Sequence, residues 1–95
     1  TETAAGSITP EDLCDCGANF YYGKNGVSQN YAEAVKWYKK AAEQGNAIAQ
    51  YNLGLCYKKG EGVEKNIDEA IKWFSKCAEQ GDEDAKKQLK ELRGN

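Results

Sequence analysis

Val27-Ser-Gln-Asn-Tyr-Ala-Glu-Ala-Val-Lys-Trp-Tyr-Lys-Lys-Ala-Ala-Glu-Gln-Gly45 lies over Val63-Glu-Lys-Asn-Ile-Asp-Glu-Ala-Ile-Lys-Trp-Phe-Ser-Lys-Cys-Ala-Glu-Gln-Gly81 at a constant offset of 36 residues. Self-similarity at a fixed period of roughly 20–50 residues is the signature of a repeat architecture. Working outward, Gly17/Gly54, Phe20/Tyr57 and Gly23/Gly60 match at an offset of 37, so the Lys24-Asn25 turn carries one extra residue. After Gly81 a third copy begins, with Ala85 over Ala49 and Leu89 over Leu53, and stops after one helix.

Local chemistry supplies the elements. Thr9 is placed as an N-cap, Pro10 takes the first helical position and Asp12 follows three residues after the cap, which predicts a helix from Pro10 to about Tyr22, closed by Gly23. Ile8 and Leu13 are spaced as a hydrophobic staple. Asn30 with Glu33 and Asn66 with Glu69 repeat the cap-plus-acid pattern, Asn46 and Asp82 cap the helices that follow, and Gly45, Gly60 and Gly81 mark helix ends. Ala34, Trp37, Tyr38, Ala41 and Ala42 form the i, i+3, i+4, i+7, i+8 stripe of one buried helix face, and Ala70, Trp73, Phe74, Cys77 and Ala78 repeat it. Ala49, Leu53 and Tyr57 stripe the partner helix. Gly54 within it marks the closest helix contact, because a mid-helix glycine costs about 1 kcal/mol against alanine. The reading is all-α: a short α/α solenoid of two helix hairpins plus a C-terminal capping helix. Residues 1–8 form a tail and 9–93 one domain, with repeat one over about 9–45, repeat two over about 46–81 and the capping helix over about 82–93.

Composition narrows the function classes. The chain has 95 residues, 40% hydrophobic and 29% charged, which allows one globular domain. A net charge of -2 lacks the basic footprint of a nucleic-acid binder. No apolar run approaches the roughly 20 residues of a membrane span. There is no histidine, hence no Cys–His pair or Ser–His–Asp triad and no commonest metal ligand. Gly60-Glu-Gly62 lacks the Gly-Lys-Ser/Thr ending of a phosphate cradle. These residues name no catalytic group, cofactor or metal site and point to a non-enzymatic binding module. The chain contains no methionine, which fits either a processed N-terminus or excision from a longer chain. Processing favours export to an oxidising compartment, and a cytoplasmic location is the alternative.

Leu53-Gly54-x-x-Tyr57-x-x-Gly60-x-Gly62-Val63 followed by Ala70-x-x-Trp73-x-x-x-x-Ala78-x-x-Gly81 resembles the Sel-one-like repeat family, a subgroup of tetratricopeptide-like α/α repeats. The resemblance covers about residues 10 to 93. It implies a right-handed superhelix of helix hairpins and a role as an adaptor or scaffold in assembly or signalling. The first copy departs from the pattern, with Cys16 at the leucine and Phe20 at the tyrosine. Some secreted relatives carry one disulfide per repeat; their cysteines would fall at Ala78 and Lys86, so that scheme does not carry over.

The resemblance places ligand binding on the concave face, built by the first helix of each pair. By the tetratricopeptide layout its outward positions are Ile48, Tyr51, Leu55, Lys58 and Lys59 in the second copy, Cys14, Ala18, Tyr21 and Tyr22 in the first, and Lys87 and Glu91 in the last helix. Tyr51 and Leu55 are i, i+4 neighbours outside the Ala49–Leu53–Tyr57 stripe, so they are expected to face the groove, with packing between hairpins as the competing role. Apolar and aromatic side chains there favour an extended or helical apolar segment of a protein partner. The carboxylate-clamp relatives instead set basic and amide residues where Tyr51 and Leu55 stand. The paired lysines are interleaved with acids and read as a solvated surface. The last helix is polar, as a terminal cap should be, whereas the front end carries no such cap and is expected to join upstream sequence or another copy. The alternative is therefore a structural segment that associates with itself through its first helix.

Cys14-Asp15-Cys16 is the remaining oddity and carries a remote thiol-redox or metal reading. Two residues apart on a helix, these side chains point about 200° apart, which opposes a shared metal. The spacing is also not Cys-x-x-Cys. The expectation is that Cys16, Cys56 and Cys77 are small core residues and that Cys14 faces elsewhere. Trp37 and Trp73, at matched repeat positions, are expected in the core.

Overall fold

The structure, a computed structural model, describes residues 8–94; all but the last residue of the expected 1–8 tail lies outside them. Its elements are α1 (Pro10–Tyr22), α2 (Tyr31–Glu43), α3 (Ala47–Lys59), α4 (Ile67–Glu79) and α5 (Glu83–Leu92), with no strand among the described residues. Each helix starts where a short polar side chain takes up an orphan backbone N–H: Thr9, Asn30, Asn46, Asn66 and Asp82 all accept from the third residue onward. At α1 the box is complete, since the Thr9 amide also donates to the Asp12 carboxylate at 3.4 Å. α1 and α3 end on left-handed Gly23 and Gly60, whereas α2 and α4 end on Gln44 and Gln80, with the left-handed glycine one residue later.

Packing runs in chain order: α1 on α2, α2 on α3, α3 on α4, α4 on α5. That is the helical-repeat solenoid expected from the 36-residue period. Two apolar clusters fill it. One joins Leu13, Cys14, Ala34, Tyr38, Ala42, Ala49, Leu53, Cys56 and Trp73; the other joins Ala70, Phe74, Cys77, Ala85 and Leu89. Adjacent residues on α4 thus serve different clusters, and Trp73 ties the second hairpin to the first. Gly54 is the close approach that its sequence position indicated. A Cβ there would stand 2.8 Å from the Phe74 ring, and one at Gly17 would stand 2.6 Å from Tyr38. Small residues at these two points let the large aromatics of α2 and α4 reach the axis of the preceding helix.

Two expectations are corrected. Cys14 is buried and Cys16 only half-buried, the reverse of the sequence reading. Cys16 stands where α3 has Leu53, and Leu53 is covered by the preceding α2; among the described residues no helix precedes α1, so that slot stays open. Cys14 stands instead where α3 has Tyr51, on the side that packs beneath α2. Second, packing between hairpins claims part of both Tyr51 and Leu55: each is half-buried and packs against the Ala70–Phe74–Leu89 cluster. Trp37 is half-buried and Trp73 buried. The sequence stripe also missed Gln50, which is 4% exposed, donates to the Ala42 carbonyl at 3.1 Å and accepts from Gln80 at 2.9 Å.

Candidate functional site

The last turn of α1, closed by left-handed Gly23, borders one small concavity together with the last two turns of α3. Tyr21 becomes the hub of an aromatic group, with ring centroids 4.9 Å from Tyr22 and Tyr31 and 6.4 Å from Tyr38. Its hydroxyl donates to the Glu61 carboxylate in the turn after α3. Burial, reinforced by that carboxylate, raises the Tyr21 pKa, and burial raises that of Tyr38, so both phenols are neutral. Tyr22 is 65% exposed, and the Lys24 ammonium sits 5.7 Å from its ring centroid.

These side chains surround a cavity of about 110 Å³ lined by Tyr21, Tyr22, Tyr38, Asn52, Leu55 and Lys59. Tyr21, Tyr22, Leu55 and Lys59 are sequence-derived site residues that the fold brings together. Tyr38 and Asn52 were missed. Tyr38 was absorbed by the core stripe of its helix, and Asn52 lies one turn before Leu55, a spacing that marks it as a neighbour once Leu55 is chosen.

The other residues from the sequence lie elsewhere. Tyr51 meets the Phe74 ring edge-on at 5.4 Å and its hydroxyl accepts from Gln88 at 3.4 Å. Lys58 donates to Gln88 at 2.6 Å and pairs with Glu91 at 3.7 Å. Tyr51 and Lys58 therefore bind α3 to α5. Ile48 is 66% exposed in the first turn of α3, about 16 Å along the helix from Lys59. Lys87 is exposed on α5. The Tyr51→Ala variant is accordingly expected to lose about 1–2 kcal/mol of stability, from a half-buried ring with one edge-on partner, rather than to leave it unchanged. Urea denaturation checks this; a midpoint equal to that of wild type returns Tyr51 to the ligand face.

A wider groove of about 1120 Å³ runs between α2 and α4, over Gln50 and Tyr57. Lys39, Lys72 and Lys76 line it together with Glu43, Glu64, Glu69 and Glu79, so it presents no single sign of charge. Trp73 borders it, and the Nε1 atoms of Trp73 and Trp37 have no hydrogen-bond partner among the described residues. Lys72 and Lys40 lie 5.1 Å from the respective ring centroids.

Three of the four cysteines, Cys14, Cys56 and Cys77, are buried in the packed interior. All four thiols are free. Burial pushes Cys14 and Cys77 up to about 11 and Cys56 up to about 12, each raised further by nearby carboxylates, so these three are neutral thiols at pH 7. Among the described residues no three His, Cys, Asp or Glu side chains gather as a metal site, and no helix is long and apolar enough to cross a membrane.

The sequence profile of the Sel1 repeat matches residues 10–46 and 47–82. Among solved structures, the chain superposes on a Sel1 repeat protein from Oxalobacter formigenes with a TM-score of 0.87 and 43% identity over 96% of its length. It superposes on c5321, a protective antigen of uropathogenic Escherichia coli strains displaying an SLR fold, with a TM-score of 0.78 and 43% identity over 80%. Helicobacter pylori cysteine rich protein B follows with a TM-score of 0.79 and 30% identity over 84%. The chain spans 37%, 16% and 59% of the lengths of those three chains. Sel1 repeats generally mediate protein–protein interaction, and proteins built from them are typically non-enzymatic scaffolds. The 36-residue period, the helix-pair packing over two glycine contacts and the match to both repeats lead to one conclusion: the chain belongs to the Sel1 repeat family.

Proposed function

We propose that this chain is a non-enzymatic interaction module that binds a segment of another protein on the face shared by α1, α3 and α5, anchored at the cavity between Tyr22 and Lys59. The observation that carries the reading is the convergence of Tyr21, Tyr22, Leu55 and Lys59, residues from two helices, on one small concavity. A volume of about 110 Å³ suits a single aliphatic side chain. Around it, Tyr22 and Lys59 remain exposed, offering an aromatic wall and a cation to the rest of the segment. Interfaces are enriched in tyrosine for this combination of apolar area and polar tip. Tyr51, Lys58, Ile48 and Lys87 contribute support or outlying surface in this reading, and the site involves no metal, cofactor or nucleic acid.

Peptides selected by display against the chain test it. Those peptides are expected to bind the Tyr22→Ala, Lys59→Ala double variant at least about tenfold more weakly, with a melting temperature only a few degrees lower, because both side chains are exposed and the loss is chiefly the edge-on contact of Tyr22 with Tyr21. Equal binding to variant and wild type would remove the cavity from the function.

A further inference from the structure

The solvent-facing arc of α3 runs through Ile48, Asn52, Leu55 and Lys59, because the buried Ala49, Gln50, Leu53, Gly54 and Cys56 take the opposite arc. In repeat register its counterparts are Glu11, Asp15, Ala18 and Tyr22 in α1 and Asp84, Gln88 and Glu91 in α5, and none of these side chains is buried. The three arcs form one surface. The cavity and the Tyr21–Glu61 hydrogen bond set α1 beside α3, and the Lys58–Glu91 and Gln88–Tyr51 contacts set α5 beside α3.

This surface is polarised. Its Lys59 end holds Tyr22 and the cavity. At the other end one row across the three helices reads Glu11, Ile48, Asp84, and the next reads Asp15, Asn52, Gln88. Glu11, Asp15 and Asp84 are exposed and form no ion pair among the described residues. α1 itself carries no lysine or arginine. Glu11 and Asp84 stand in first turns, where a carboxylate also answers the helix dipole. Asp15 lies a turn further in, beyond that effect, so it adds charge to the surface alone. Glu91, one row on, is matched by Lys58 at 3.7 Å. Tyr51 turns toward α5, so Lys87, its counterpart, turns away from α3 and from these rows.

Ile48 adds an apolar element to the acidic end. Only three large apolar side chains are exposed among the described residues, and two of them, Tyr22 and Ile48, lie at opposite ends of this surface. The cavity accounts for Tyr22. An isoleucine 66% exposed in a row with two carboxylates matches a long cationic side chain, whose methylene stem lies on apolar surface while its charged head reaches acid and water.

We infer, resting on the segment-binding reading above, that the partner is a basic segment: an apolar side chain enters the Tyr22–Lys59 cavity, and lysine or arginine side chains lie over Ile48 among Glu11, Asp15 and Asp84. Leu55, midway along the cavity wall, is about 10 Å from Ile48 along α3, which an extended chain covers in about three residues. The cation therefore stands about three residues from the apolar anchor. Anionic partners, nucleic acid and acidic lipid surfaces among them, are repelled from the same end. Because the carboxylates are exposed, they act chiefly on the rate of encounter, and salt screens them.

Peptides panned from a random display library against the wild-type chain test this, with two variants read side by side. One is the Tyr22→Ala, Lys59→Ala cavity variant. The other, Glu11→Gln, Asp15→Asn, Asp84→Asn, removes charge with little change of shape. The selected peptides are expected to carry lysine or arginine about three residues from an apolar residue. Their affinity for the charge variant is expected to be about tenfold lower, mostly through slower association, and wild-type affinity should fall about as much between about 50 and 500 mM salt. Peptides that lose the cavity variant but bind the charge variant like wild type, or that carry no excess of lysine and arginine, overturn the basic partner and leave the segment-binding reading standing. Peptides indifferent to the cavity variant remove both, as does a library that yields no binder. Circular dichroism confirms that the charge variant keeps its helices. Peptide composition and salt dependence are read on the wild-type chain and stand without any variant.

Discussion

Replacing Phe74 with alanine is expected to cost about 3–5 kcal/mol, well above the loss expected for Tyr51→Ala. Phe74 is fully buried and fills the space left by Gly54, so no side chain stands behind it to close the cavity. It is also the edge-on partner of Tyr51 and the centre of the cluster that holds α5. A domain of this size has about 5–10 kcal/mol of total stability, so the variant sits near the limit of folding. The loss should be uneven. Trp73 and the first cluster do not depend on Phe74, so amides of α4 and α5 should exchange faster than those of α1 and α2. Denaturant titration and hydrogen exchange measure both effects. A loss below about 1 kcal/mol would mean that Tyr51 and Leu55 collapse into the space.

Gly62→Ala is expected to cost about 2–4 kcal/mol through the backbone instead of a side chain. Gly62 has φ +77, in the left-handed region that an L-residue enters at a cost of about 1–2 kcal/mol. Its position adds a second penalty. A Cβ would press into the Tyr31 carbonyl and lie 2.9 Å from the Ala32 nitrogen, and backbone at the start of α2 cannot move aside as a side-chain tip can. Gly26, Gly45 and Gly81 supply the control, having positive φ with nothing within 4 Å of a Cβ. Alanine at those sites should lower the melting temperature by about 4–8 °C per kcal/mol of strain alone, and Gly62→Ala by at least twice as much. Equal shifts at Gly62 and Gly81 would show that the α3–α4 turn can withdraw from α2.

The Gly62 contact also shows why the site could be read only partly from the chain. The turn after α3 lies against the start of α2 and delivers Glu61 to Tyr21. Tyr21, Tyr22, Leu55 and Lys59 were legible because they share a repeat position class on the first helix of each pair. Tyr38 was hidden because one tyrosine satisfies two patterns: its ring fills the space over Gly17, and it also lines the cavity. Tyr51 and Leu55 looked spare on a stripe drawn for one neighbouring helix, but α3 touches both α2 and α4 and its buried arc is wider.

The amino-acid sequence by itself determined every helix, its cap and the order of packing, because caps act within four residues and a 36-residue period allows each helix pair to bury its stripe only against the next. It also indicated that Gly54 marks a close helix contact, since a glycine kept inside a helix reports what must pass beside it, although Gly17 lies closer still to its neighbour. Only the tertiary structure decided which face of each helix is covered. Cys14 is buried and Cys16 is not because burial depends on whether a neighbouring helix is there, and α1, at the end of the described stack, has neighbours on one side alone.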